Sequence, residues 1–234
     1  LVPILPMIAR DQFGAGDAMV GVAISSYYLG TMIFDIPAGL LVGRYGLRNT
    51  MLGGILLFSI AAIFAAISPN MFAFLIARVF SGFSYALWGI SRHTYITRHV
   101  PSENRGKALS LFGGISRLSA VVSPILGGLL AQYLNFQAPF FIQAIIGMVT
   151  LIIVLYAFST YKEINQRESQ NMIPVLTGTL SRNTKIFMTA GLAAVLLQFI
   201  RAARWVILPL WGDNLGLSPA EIGYIIGTSS AVDA

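Results

Sequence analysis

The sequence has no cysteine and little charge, and both deficits exclude classes of protein. Without cysteine there is neither a disulfide framework nor a thiolate metal site. Only two histidines occur, His93 and His99, both in one charged stretch, so neither a metal site nor a histidine-based catalytic centre is indicated. Charged residues make up 10% of the chain and hydrophobic residues 56%, whereas about a quarter of an ordinary soluble domain is charged. Water is therefore not the main solvent of this protein.

The balance of charge is positive, with a formal net charge of +6. Such an excess invites a nucleic-acid interpretation, but the basic residues lie singly between apolar runs and form no basic patch. We therefore expect a lipid bilayer, and no nucleic acid, as the partner of this chain.

Six apolar runs are long enough, or nearly so, to cross a bilayer, which takes roughly 20 residues of helix. They lie near 19–42, 50–67, 71–96, 107–133, 136–159 and 186–211. Partial helices are expected before Ala9 and after Glu221, so we expect the chain to be truncated at both ends. Short connections at 68–70 and 133–136 allow only antiparallel hairpins. The sequence thus predicts an all-α membrane protein, a polytopic bundle of transmembrane helices.

Lysine and arginine are concentrated in alternate connections of this predicted bundle. The connections near 43–50, 97–107 and 160–185 hold most of them, whereas the connections between hold only Arg10. Because cytoplasmic loops carry an excess of basic residues, the first group is predicted to be cytoplasmic. The long polar segment 160–185 is predicted to link an N-terminal bundle, 1–159, to the start of a second bundle, 186–234. This is the layout of a transporter built from two halves.

Four short motifs lie on the predicted spans in a consistent order. The turn after the second helix contains Gly39, Leu41, Arg44, Gly46 and Arg48, spaced as in G-x-L-A-D-R-x-G-R-R. The others are PILP at 3–6, RVFSGFSYA at 78–86 and SPILGG at 123–128, the last containing Pro124, Gly127 and Gly128. Together they resemble the motifs of the major facilitator superfamily of secondary transporters. PILP and SPILGG resemble motifs of its proton-coupled drug antiporters, and RVFSGFSYA resembles a fourth-helix pattern, R-x-x-x-G-x-x-x-A, whose arginine is associated with proton coupling.

This resemblance implies a major facilitator fold and proton-coupled efflux of a small molecule by alternating access. It implies no cofactor or metal, a prokaryotic inner-membrane location, and function as a monomer when full length. Gly43 stands where the family usually has an aspartate that latches the two halves on the cytoplasmic side, so we expect a weakened latch. Ser123 replaces the first glycine of the antiporter signature.

Several charged side chains fall inside predicted spans, where facing lipid costs roughly 2.5 to 3.5 kcal/mol. We expect them to face protein or a wet cavity, either as functional groups or as structural ion pairs; Arg92 and Arg204, near the boundaries, are better explained as headgroup anchors. On the fourth helix Arg78 shares a polar face with Tyr85. The small-residue side of the fifth helix is predicted to meet a neighbouring helix closely. The candidate substrate or coupling residues are Asp35, Arg78, Tyr85, Arg117, Gln198, Arg201 and Trp205.

Two other functions stay open at this point. The excess of intramembrane arginine over acid favours a symporter or exchanger of an organic anion or metabolite within the same superfamily. A membrane-embedded enzyme is a remote alternative, because the sequence contains no G-x-S-x-G, no H-E-x-x-H and no paired intramembrane aspartates.

Overall fold

The structure is a computed structural model, and it describes residues 4–158, 178 and 181–232. The regular structure of these residues is entirely helical. The N-terminal helix α1 is Leu5–Met7, and a π-helical turn, Ile8–Gln12, extends it. Five long helices follow: α2, Asp17–Tyr45; α3, Leu47–Ala66; α4, Met71–His99; α5, Ser102–Tyr133; and α6, Ala138–Ala157. After two short turns, Thr184–Ile186 and Phe187–Gly191, come α7, Leu192–Asn214, and α8, Pro219–Val232.

The five helices α2 to α6 are each long and apolar enough to cross a membrane. Their ends extend beyond the apolar runs of the sequence: α4 continues to His99, and α5 begins at Ser102. A helix continues while its backbone hydrogen bonds are made, whatever the polarity of the side chains. The sixth apolar run corresponds to α7 and the short turns before it. Most of the predicted linker 160–185 lies outside the described residues.

The helices α2, α3, α4 and α6 pack in one group, with α4 against both α2 and α3, and α6 against α3. Glycine makes the closest approach possible. A Cβ on Gly82 of α4 would lie 2.7 Å from the backbone nitrogen of Thr31 on α2, and one on Gly54 of α3 would lie 2.9 Å from Leu87 of α4. Small residues at helix contacts are the usual solution in membranes, where packing replaces the hydrophobic effect between helices.

Helix α5 stands apart from this group and packs mainly against α8. A Cβ on Gly223 of α8 would lie 2.6 Å from the carbonyl oxygen of Pro124, and one on Gly227 would lie 2.8 Å from that of Val121. Gly128 meets the backbone of Pro219 equally closely. The predicted close contact on the small-residue side of α5 is therefore confirmed, and its partner is α8. By contrast, residues 109–119 of α5 are all exposed.

The largest core cluster lies at the end of the molecule opposite the arginine-rich connections. It joins Ile4, Leu5 and Ile8 of the N-terminal segment to Val20 of α2 and Phe74 of α4. Val206 and Leu210 of α7 pack against the same cluster. The helices of both predicted halves are thus held together at this end, which the charge pattern predicts to be the outer end.

Candidate functional site

A cavity of about 500 Å³ lies between α2, α3, α4, α5 and α6. Arg78 of α4 lies in its wall. The other polar side chains that line the cavity are those of Tyr27 and Tyr28 on α2, Ser81 on α4, Ser123 on α5 and Gln143 on α6. The remaining lining is mainly apolar, including Phe58, Leu126, Leu130, Ile142 and Ile146. The volume is that of a typical small-molecule site.

Arg78 is a buried cation, with 7% of its surface exposed. Its Nε donates a hydrogen bond to the carbonyl oxygen of Ala23, at 3.4 Å, and its Cζ lies 5.0 Å from the centre of the Tyr27 ring. These contacts depend on the close approach of α4 to α2 at Gly82, one turn further along α4. Among the described residues, no carboxylate forms an ion pair with Arg78.

The polar face predicted for α4 divides between two environments. Tyr85 is 47% exposed, and its ring centre lies 6.0 Å from that of Tyr27, so Tyr27 lies between Arg78 and Tyr85. Tyr85 lines a second, smaller cavity of about 230 Å³, together with Trp88 and Phe58. Arg92, further along, lies over the rings of Trp88 and of Phe112 on α5, with its Cζ 4.5 and 5.5 Å from their centres.

Asp35, Arg117 and Trp205 lie outside the lining of the Arg78 cavity. Asp35 is exposed on α2 and makes no ion pair within the described part of the chain. Arg117 is exposed on α5. Trp205 of α7 is partly buried and packs with Met7, Ile222 and Ile226. The side chains of Gln198, Arg201 and Arg204 lie outside what the structure describes.

The glycine-rich turn after α2 has the geometry that its sequence predicts. Gly46 ends α2 and precedes α3 with a φ of +84°. Arg44 is exposed, with its Cζ 5.5 Å from the centre of the Tyr45 ring, and Arg48 is partly buried. Gly39 is half-buried in α2, whereas Gly43 faces open space, with nothing within 4 Å of a Cβ built on it.

The glycines and proline of the α5 motif have different surroundings. Gly127 lines the Arg78 cavity, whereas Pro124 and Gly128 are buried against α8. Sequence reasoning missed Tyr27, Tyr28, Ser81 and Gln143 as cavity residues. A signal for Gln143 was available, since it is the one amide side chain within α6.

Arg10 forms an ion-pair network at the predicted outer end. Its guanidinium pairs with Asp17 at the start of α2, and its Nη1 lies 2.5 Å from Oδ2 of Asp213 at the end of α7. The hydrogen bonds that Arg10 donates to Asp17, together with the charge of Asp213, raise the pKa of Arg10 above its usual value. In sequence, Arg10 is notable only as the one basic residue of the outer connections.

Comparison with known proteins identifies the family. The sequence profile of the Major Facilitator Superfamily matches residues 1–234. The chain belongs to the Major Facilitator Superfamily. The predicted resemblance and fold class are therefore confirmed, and this member of the superfamily is a multi-pass integral membrane protein.

Two of the curated relatives below are named as transporters and one as a multidrug resistance protein. The chain is 25% identical over 219 residues to an uncharacterized transporter of Buchnera aphidicola, covering 93% of this chain and 55% of the relative. It is 24% identical over 230 residues to the multidrug resistance protein MdtL of Shigella dysenteriae, covering 97% of this chain and 59% of that protein. An uncharacterized MFS-type transporter of Methanocaldococcus jannaschii is 21% identical over 236 residues, covering 100% of this chain and 61% of that protein. The chain thus spans less than two thirds of the length of these relatives.

Proposed function

We propose that this chain is part of a secondary active transporter that exports a small organic molecule by alternating access, in exchange for protons. The observation that carries the proposal is the cavity of about 500 Å³ inside a group of membrane-spanning helices, with the buried cation Arg78 in its wall. Burying a charge costs free energy unless a partner group compensates the charge. Intramembrane charges of transporters mark substrate and ion pathways. The relative named as a multidrug resistance protein supports efflux.

The proposed organisation is a first bundle at 1–159, a cytoplasmic linker at 160–185, and a second bundle that starts at 186. The contact of α5 with α8, and of the N-terminal core cluster with α7, joins the two bundles near the predicted outer end. The exposed stretch 109–119 of α5 lies toward the predicted cytoplasmic end. This asymmetry supports a state that is closed outside and open inside, one of the two states that alternating access requires.

Proton coupling and substrate binding are proposed to depend on different residues. Asp35 is the only acid in the interior of α2 to α6, and a carboxylate is the titratable group that proton exchange requires. Arg78, with Tyr27 and Tyr85 beside it, is proposed to hold the substrate. Arg117, Gln198, Arg201 and Trp205 remain proposed contributors from α5 and α7, and the proposed working location is a prokaryotic inner membrane.

The test uses the full-length protein in vesicles, with the protein oriented so that efflux is directed inward. An acidic vesicle interior should drive accumulation of at least one fluorescent dye from a panel of cationic, neutral and anionic compounds, and a protonophore should abolish it. Asp35→Asn should lose gradient-driven flux, whereas Glu103→Gln, an equivalent change at an exposed acid at the start of α5, should retain it.

Two results would contradict the proposal. Flux that is indifferent to the proton gradient would remove proton coupling, and equal flux in the Asp35→Asn and Glu103→Gln proteins would remove Asp35 as the coupling group. Absence of flux for every dye in a panel of cationic, neutral and anionic compounds would remove efflux itself.

A further inference from the structure

We propose that the cavity beside Arg78 recognises its substrate through one negative charge, a carboxylate or an equivalent acidic group carried on an apolar, ring-bearing body. The inference rests on the proposed transport function and adds the chemical class of the substrate.

The guanidinium of Arg78 has more donors than the protein uses. An arginine side chain carries five N–H donors and no acceptor. One of them, at Nε, is directed to the carbonyl oxygen of Ala23. No described residue accepts a hydrogen bond from Nη1 or Nη2, although only 7% of the surface of Arg78 is exposed. Because Arg78 also lines the cavity, these free donors are available to a ligand there.

The nearby carboxylates do not supply the missing negative charge. Asp35 lies on α2 about 10 Å further along the helix axis than Tyr28, at a rise of about 1.5 Å per residue, and its side chain is exposed and outside the cavity lining. Asp17 and Asp213 pair with Arg10 at the outer end. A planar carboxylate matches the fork of a guanidinium with two parallel hydrogen bonds, so an acidic ligand satisfies both the charge and the donors.

The rest of the wall selects an apolar body for this acid. The rings of Tyr27 and Tyr28 meet edge to face, with centres 5.4 Å apart, and form one side of the cavity. Phe58 and Leu126 lie among the apolar residues that complete it. Ser123 and Gln143 add neutral hydrogen-bonding groups. Rings favour contact with flat apolar groups, so the wall fits an aromatic acid better than a small hydrophilic anion.

A matched pair of probes isolates the contribution of charge. We suggest titrating the purified full-length protein with 2-naphthoate and with 2-naphthamide, which share their ring system and differ in charge, and following binding by calorimetry. Naphthoate should bind at least tenfold more tightly than naphthamide. Arg78→Gln should abolish this preference, whereas Arg98→Gln, the same change at the exposed end of the same helix, should leave it intact.

Equal binding of the two probes, or equal loss of preference in the Arg78→Gln and Arg98→Gln proteins, would overturn the inference. Arg78→Lys provides a second variant if Arg78→Gln does not accumulate as folded protein, as judged by gel filtration and thermal unfolding. Lysine retains the charge but not the fork, so the preference for naphthoate should persist with weaker binding; loss of affinity for both probes alike would also overturn the inference. Gradient-driven flux without any preference for naphthoate would overturn the substrate class alone, whereas preference without flux would overturn the transport function.

Discussion

Gly46 and Gly43 belong to one motif but are glycines for different reasons. Gly46 has a φ of +84° and a ψ of 162° between α2 and α3, a region of backbone space that is essentially restricted to glycine. Gly43 lies in the last turn of α2, where the backbone is helical and a Cβ would meet nothing within 4 Å. Only the first position therefore depends on the conformational freedom of glycine.

Alanine at the two positions should have opposite consequences for stability. We expect Gly46→Ala to lower the free energy of unfolding by about 1–3 kcal/mol, the usual cost of a residue in a sparsely populated region. Gly43→Ala should leave it unchanged or raise it by up to about 1 kcal/mol, because alanine is the better helix former. Thermal unfolding of the full-length variants in detergent measures both. Similar midpoints for the two variants would show that the turn is not strained.

The same residues show what a single motif can reveal. The spacing of Gly46 and the arginines predicted a tight turn, and the structure has one. That Gly43 weakens a cytoplasmic latch remains a prediction, because an interaction across the two halves depends on both partners.

At the scale of helices, the close contact of α2 with α4 depends on Gly82 but not on Gly89, although both lie on the predicted polar face of α4. Gly82 lies against the backbone of α2, whereas Gly89, two turns further along α4, has nothing within 4 Å of a built Cβ. Helical periodicity places both on one side of α4. The backbone of α2 therefore approaches α4 at Gly82 and leaves space at Gly89.

We therefore predict that Gly82→Ala destabilises the protein and Gly89→Ala does not. An added Cβ at Gly82 would overlap backbone atoms, which cannot rotate away as a side chain can, and overpacking of this kind costs typically about 1–3 kcal/mol. Gly89→Ala should be neutral or stabilising by up to about 1 kcal/mol. Thermal unfolding again provides the measurement. If Gly82→Ala were as stable as the unsubstituted protein, the close approach of α2 and α4 would be wrong.

For the whole molecule, the Arg10 network connects the two predicted halves at the outer end. Both of its acids pair with the same guanidinium, but Asp17 begins α2 in the first bundle, whereas Asp213 ends α7 and is separated from Arg10 by 203 residues. The side chains of Arg10 and Asp213 are 26% and 17% exposed, and that of Asp17 is 63% exposed. Of these two pairs, only the one with Asp213 joins α7 to the N-terminal segment at the predicted outer end.

Asp213→Asn should thus favour opening toward the outside, and Asp17→Asn should not. An ion pair worth up to about 1 kcal/mol corresponds to roughly a fivefold change in the balance of two states. This chain contains no cysteine, so Ser123→Cys in the cavity wall offers a labelling site. In a full-length background without other cysteines, Asp213→Asn should speed labelling by an impermeant maleimide from the outer side by roughly this factor. Equal rates in the two variants would show that the pair is not a latch.

Composition and local pattern were enough to establish that the protein is a bundle of membrane-spanning helices, which helices follow one another, and which family it resembles. Hydrophobicity, helix length and short motifs are properties of contiguous segments, so no knowledge of neighbours is required. The same reasoning found Arg78, because a charge within an apolar run is conspicuous wherever the run packs.

The tertiary structure alone decided which side chains surround that charge. Tyr27, Ser123 and Gln143 line the cavity of Arg78 from three other helices, and Asp213 pairs with Arg10 across most of the chain. Helical periodicity states which residues share a face but not which helix that face meets, since the choice of neighbour depends on close packing between segments that are distant in sequence. For this reason the buried charge was predictable from the sequence, and the residues that share its cavity were not.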